Sequence, residues 1–265
     1  VPPCKKDLTN AIIQKLNSDV AVVCLPPLHW SNGQLIDLDE ITKACERFHI
    51  DIIVDGTQAI GILPHHKILA AKDSTLMVTC SSQKWLRGPP GISLCYINRK
   101  VYKTWQPLDQ HGRSRNMPRN WNAHSGTMDS HTGYPEEFFH DARKFDSGGH
   151  HSYSQLIMLR ASLEEVFTLN LEQCQEHLQC LLRPLLEWAV GRKDIWTPQA
   201  HAGHLIGLRP VPPMDVDKML LVCHNLEVEE RILISVRNGF FRVSPYVTNQ
   251  PEDIKRLIDG LKKYL

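Results

Sequence analysis

The chain has 265 residues, 42% of them hydrophobic, with 30 lysines and arginines against 29 aspartates and glutamates and a net charge of +1. That length and composition suit a globular protein with a sizeable core, as one large domain or two smaller ones. The balanced charge argues against nucleic-acid or membrane binding through bulk electrostatics, and no run approaches the roughly 18 apolar residues of a membrane span.

Along the chain, Leu8 to Leu16 reads as a short amphipathic helix, and Asp19 to Leu25 as an apolar strand closed by Pro26-Pro27. Asp37 to Phe48 has helical spacing, with Leu38, Ile41, Ala44, Cys45 and Phe48 on one face. Apolar strands follow at 50–55, 74–80 and 92–97. Helices alternating with nearly all-apolar strands predict an α/β fold, a mainly parallel sheet with helices on both faces. From Trp105 to about Ser147, abundant His, Arg, Asn, Gly and Pro predict long loops. Helices are expected at 153–167 and 171–190. Strands at 204–208 and 231–236 then flank a helix at 216–224, with a short strand at 240–243. A closing helix runs from Pro251 to Gly260, with Asn249 as N-cap and Gly260 at its end. The domains so defined are 1–167, a cofactor-binding domain, and 168–265, a smaller α+β domain.

The residues that carry chemistry stand at the ends of two of these strands. Asp55-Gly-Thr-Gln58 ends the run Ile50 to Asp55, and Ser81-Ser-Gln-Lys84-Trp-Leu-Arg-Gly-Pro-Pro-Gly91 follows the run Ser74 to Cys80. An acid and a lysine at neighbouring strand ends are what a pyridoxal phosphate site requires, a Schiff-base amine and a carboxylate for the pyridine nitrogen. Lys84 sits in a turn that Gly88, Pro89, Pro90 and Gly91 impose, and its competing reading is a solvated surface lysine. Asp55 ends an apolar run, where a cation compensates a buried carboxylate; alternatively it caps the segment after it. Gln58 is placed to donate to the ring's phenolic oxygen. Ser81, Ser82 and Gln83 offer donors for a phosphate ester, or else ordinary turn chemistry.

Together, Asp55-x-x-Gln58-x-x-Gly61 and Ser-x-x-Lys84-Trp-Leu-x-Gly-Pro-x-Gly resemble the class V aminotransferase family of pyridoxal phosphate enzymes. That family includes cysteine desulfurases, kynureninases and isopenicillin N epimerase-like proteins. The resemblance extends to His29-Trp30-Ser31-Asn32-Gly33, Arg143-Lys-Phe-Asp146-Ser-Gly148, Arg242-Val-Ser-Pro245, and Asn249 with Pro251-Glu-Asp-Ile. It implies a fold type I homodimer that acts on an amino acid or related amine, and the absence of any Cys-x-x-Cys pair among the scattered cysteines suggests the cytoplasm. By the same resemblance Lys84 carries the Schiff base, Asp55 pairs the pyridine nitrogen and Gln58 touches the phenolic oxygen. Arg242 clamps a substrate carboxylate, with Arg237 as a second anion anchor. Asn32, and more weakly His29, is a candidate for contact with cofactor or substrate, while the segment 143–148 approaches the partner subunit's cofactor phosphate.

Three departures accompany the match. Gln83 stands where the family often has His, Gly148-Gly149 where it has Gly-Thr, and the chain opens near the middle of the family's large domain. His150, His151 or Ser152 are candidates to replace the missing hydroxyl. The phosphate-cradling turn and helix and the ring-stacking aromatic residue are then expected before Val1. An inactive fragment serving as a structural or dimerising module is therefore the alternative to an enzyme. A desulfurase needs a thiol on a loop shortly after an Arg-x-Gly. Here Arg237-Asn-Gly239 is followed by Phe240-Phe241-Arg242, and the last cysteine is Cys223, inside a predicted helix. Desulfuration is disfavoured. The other cysteines read as reduced, mostly buried thiols. His65-His66 and His150-His151 lack the spacing of a metal site, and no Gly-x-Gly-x-x-Gly follows a predicted strand.

Overall fold

The computed structural model describes residues 8–64, 75–116, 133–149 and 152–265. The histidine pairs 65–66 and 150–151, Ser74 at the start of the third predicted strand and the loop from Met117 lie outside the described residues.

The N-terminal sheet has strands β1 (Val22–Leu25), β2 (Asp51–Asp55), β3 (Thr75–Ser81) and β4 (Ser93–Ile97), in that spatial order. The first three are parallel and β4 is antiparallel to β3. The reversal follows from the connection: residues 82–92 form a turn too short for the crossover of a dozen or more residues that a parallel strand requires. Helices α1 (Leu8–Ile13) and α2 (Leu38–Glu46) pack on one face, where Leu25, Ile52, Val54 and Val78 meet Ile41 and Cys45. Asp37 starts α2 by accepting the N–H groups of Asp39 and Glu40. On the opposite face Cys24 is exposed and Ile53 and Met77 half-buried, so the described residues cover that side only in part.

After α3 (Arg99–Thr104), the predicted loop region carries short 3-10 turns at Gly112–Ser114 and Ala142–Phe145. Helices α4 (Tyr153–Val166) and α5 (Leu171–Val190) lead to a second, wholly antiparallel sheet. It consists of β5 (Ile195–Trp196), β6 (Ile206–Pro210), β8 (Phe240–Val243) and β7 (Ser235–Arg237) in that spatial order, with α6 (Val216–Glu230) and α7 (Pro251–Tyr264). Leu178, Leu182, Ile206, Phe241, Met219 and Leu257 build its core.

Four of the predicted boundaries that shift do so for evident physical reasons. Helix α6 runs six residues beyond His224 to Glu230. Arg231 adopts a left-handed conformation (φ 54°) as its C-cap, where a strand was expected. Gly260 lies inside α7 instead of ending it, because a Cβ there would sit 2.5 Å from Cδ2 of Leu226, and its absence lets α6 and α7 approach. Gln250, not Asn249, is the N-cap of α7. Its backbone N–H donates to Asp253, and the Asn249 amide donates to the same carboxylate oxygen.

Candidate active site

Parallel pairing sets Asp55 at the end of β2 beside Thr79 of β3, and Ser81 closes β3 two residues later. Asp55 is exposed, and its Oδ1 accepts the N–H of Thr57 at 3.0 Å. The capping contact is thus real, and the other carboxylate oxygen remains for a ligand. Thr57 Oγ1 accepts the N–H of Ser81 at 3.3 Å and ties the two strand ends together.

Lys84 lies three residues past β3, exposed, in a turn closed by the Arg87 N–H on its carbonyl at 3.0 Å. Gln83 is exposed beside it, while Ser81 is half-buried. Ser82 departs from the expected phosphate donors. It is fully buried, and its hydroxyl lies 2.6 Å from the Pro89 carbonyl and 2.8 Å from that of Ile92, so it braces the lysine loop from within.

Gln58 is held at both ends. Its Oε1 accepts the indole N–H of Trp85 at 3.0 Å, and its backbone carbonyl accepts Nε2–H of His204 at 2.8 Å. His204 is fully buried, edge-on to the Trp85 ring with centroids 4.6 Å apart. Its Nδ1 faces the Gln175 amide nitrogen at 3.0 Å, which fixes the neutral tautomer with hydrogen on Nε2. Burial pushes the imidazole down to about 4, and the bond to Gln58 opposes this only in part. Gln175 is saturated in turn, donating to Ile62 and accepting from Gly203. Sequence reasoning missed His204 and Gln175. The flanking Gly203 and Gly207 were the available signal, since both are sites where backbone passes close.

The loop 28–36 crosses between the sheets. The Asn32 carbonyl accepts the Gly207 N–H of β6 at 2.9 Å, and the Gly33 carbonyl accepts that of Ala202. Gly33 has φ 75°, and a Cβ there would lie 1.8 Å from the Leu205 carbonyl oxygen, so only glycine fits. A Cβ on Gly207 would lie 2.7 Å from Cα of Asn32. Asn32 is buried, with its Oδ1 spent on the Gln34 N–H. The His29 ring accepts from Ser31, and burial lowers its basicity.

Arg242 sits on β8 opposite Gly207, hence beside Asn32. Its Nη1 donates to the Trp30 carbonyl at 3.3 Å, and its Nε is buried with no partner among the described residues. Burial and the nearby positive charge of Arg237 both act against its protonated form. Arg237 is exposed, and its Nη1 donates to its neighbour's carbonyl at 2.9 Å. The structure therefore brings Asp55, Gln58, Ser81 and the Lys84 loop to one sheet edge. Asn32 and Arg242 meet each other across the junction with the second sheet.

The hairpin after Arg237 is two residues long, with Asn238 and Gly239 at φ 50° and 75° and Arg237 paired to Phe240. Cys223 lies in α6, half-buried, its thiol pushed up by burial. Among the described residues no group of His, Cys, Asp and Glu could hold a metal ion, and no helix is long and apolar enough to cross a membrane.

Comparison with known proteins bears on the family and the fold. The family described as aminotransferase class-V matches residues 5–188. An uncharacterised aminotransferase of Bacillus subtilis is 18% identical over 246 residues, which are 93% of this chain and 60% of that protein. A kynureninase of Bacillus cereus is 30% identical over 91 residues, 34% of this chain and 21% of that enzyme. Among solved structures, a cystine C-S lyase with its product cysteine persulfide superposes with a TM-score of 0.76 at 19% identity, over 97% of this chain and 64% of that one. The Escherichia coli cysteine desulfurase CsdA does so with a TM-score of 0.74 at 14% identity, over 97% and 62%. At such identities the likeness shows the fold, that of pyridoxal phosphate enzymes of fold type I. The chain spans about 60% of the length of the aminotransferase relative. The donor set at the sheet edge fits pyridoxal phosphate, the cofactor of the family: a carboxylate, an amine, an amide and a hydroxyl. The chain belongs to the class V aminotransferase family.

Proposed function

We propose that this chain is the part of a pyridoxal phosphate enzyme that carries its reactive lysine, and that the enzyme acts on an amino acid or related amine. The observation that carries the reading is the meeting of Asp55 and the Lys84 loop at adjacent ends of β2 and β3. When bound, the cofactor supplies an aldehyde that condenses with amines and a ring that withdraws electrons.

In this reading Lys84 would be the amine that binds the cofactor's aldehyde, and once the substrate's own amine displaced it, its freed Nζ would move a proton at the substrate's α-carbon. The open oxygen of Asp55 keeps the ring nitrogen protonated. Gln58 presents its amide N–H group to the phenolic oxygen, because its carbonyl oxygen is already turned to Trp85. Ser81 and Gln83 donate to the phosphate, and Asn32 lines the junction. Arg242 binds the substrate carboxylate. A half-buried guanidinium with no carboxylate beside it among the described residues, and an Nε left without a partner there, calls for an anion, and its planar fork matches a carboxylate. Arg237 adds positive potential nearby.

We place the domain division at 167/168 and assign a homodimer in which residues 143–148 approach the partner's cofactor phosphate. Exposed Tyr153, Ile157 and Met158 on α4 support a covered face there. The two-residue hairpin at 238–239 and the inert Cys223 argue for transamination, epimerisation or elimination over desulfuration. The test is the visible absorbance of the protein mixed with pyridoxal phosphate, set against Lys84→Ala. A band in the first and none in the second is expected. No band in either protein sinks the reading.

A further inference from the structure

We infer that Trp85 is a positioning residue: its indole N–H fixes the Gln58 amide so that only the NH2 edge can face the cofactor. The inference rests on the roles proposed above for Gln58 and Lys84, and adds a residue that those roles do not use.

An indole nitrogen can only donate. At 3.0 Å from Oε1 it accepts one orientation of the amide, since the flipped amide would set an N–H against an N–H. The opposite edge of the same planar group, away from the indole, must therefore be the donor edge. A glutamine free to flip would offer a ligand's phenolic oxygen an acceptor half the time, and an acceptor facing that oxygen repels it.

The rest of the cluster keeps Trp85 and Gln58 from moving independently. The His204 ring packs edge-on against Trp85 at 4.6 Å and 75°, and its Nε2–H holds the Gln58 carbonyl at 2.8 Å. Gln58, Trp85 and His204 thus close a triangle of two hydrogen bonds and one ring contact. Gln175 completes it by fixing the tautomer of His204. Gly61 lets the turn after Gln58 reach the lysine loop, since a Cβ there would lie 2.8 Å from the Trp85 carbonyl oxygen. Because Trp85 directly follows Lys84, the loop that presents the amine also aims the amide.

The experiment is a double-mutant cycle on the full chain: wild type, Trp85→Phe, Gln58→Ala and both together, each titrated with pyridoxal phosphate by absorbance. Phe keeps an aromatic ring near His204 but loses indole volume along with the donor, and the comparison in the Gln58→Ala background separates the two. Either single change is expected to weaken binding about fivefold, the weight of one ordinary hydrogen bond. The double variant is expected to bind no more weakly than Gln58→Ala. A fivefold further loss on adding Trp85→Phe to Gln58→Ala would mean that Trp85 acts by general packing, and would overturn the inference.

A second measurement needs no cofactor. In the 15N spectrum of the cofactor-free protein, the indole N–H absent from Trp85→Phe identifies Trp85. Its exchange with solvent should quicken in Gln58→Ala, and unchanged exchange would overturn the inference on its own. If the wild type forms no visible band at all, the proposed function fails. If the band forms but the cycle is additive, only the role of Trp85 fails.

Discussion

His204 makes the stability of this protein depend on pH in a way that one substitution should erase. In the folded chain its imidazole is pushed down to about 4, against 6.5 for the free side chain. As pH falls through 6.5 the unfolded chain takes up a proton at this site and the folded chain does not, so acid favours unfolding. The contribution is complete above 6.5 and lost progressively down to about 4. At about 1.4 kcal/mol per pH unit the total is on the order of 3 kcal/mol. His204→Gln keeps a donor for the Gln58 carbonyl and removes the titration. Urea unfolding followed by circular dichroism at several pH values would compare the two proteins, and the other histidines cancel in the difference. The wild type's advantage over the variant should shrink by roughly 2–3 kcal/mol between about pH 7.5 and 4.5. Parallel stability curves across that range would refute the burial argument.

Other substitutions test the rest of the site. Gly33→Ala combines a left-handed φ with a Cβ 1.8 Å from the Leu205 carbonyl oxygen, and should lower stability by about 3 kcal/mol or more, read as a fall in Tm. Ser82→Ala removes the hydroxyl bonded to the Pro89 and Ile92 carbonyls, and should cost about 1–3 kcal/mol in urea unfolding. With an amino acid substrate in hand, Arg242→Lys keeps the charge but loses the fork. It should raise KM about tenfold for that substrate and leave an amine without a carboxylate unaffected. Equal effects on both substrates would remove Arg242 from carboxylate recognition.

Much of this architecture was legible in the sequence because it rests on local periodicity. The spans of α5 and β8 are those predicted, and α2 and β2 begin within one residue of their predicted starts, since apolar spacing and an Asp cap decide them. The meeting of Asp55 with the Lys84 loop was legible for a related reason: parallel strands end at the same edge of their sheet. What escaped is what depends on neighbours distant in sequence. Nothing local marks Gly260 as a packing site for Leu226, and the glycines flanking His204 signal a close approach without naming the carbonyl 146 residues earlier that it binds. Ser82 looked like its neighbour Ser81, and only the closure of the loop onto Pro89 and Ile92 turns its hydroxyl inward. The reversal of β4 was within reach, since the length of its connecting turn decides it.

The hairpin at Asn238 and Gly239 also sets a limit of reach. A nucleophile that must visit a substrate and then hand its cargo elsewhere needs slack chain, and this turn has none. Two residues make the tightest common hairpin, and the strands on either side are held in register with Ser235 of β7 opposite Arg242 of β8. Lengthening the turn by one residue would call for a bulge to keep that register. Carrier chemistry therefore cannot be grafted here by a cysteine substitution alone; it would take an insertion long enough to leave the Arg242 register intact.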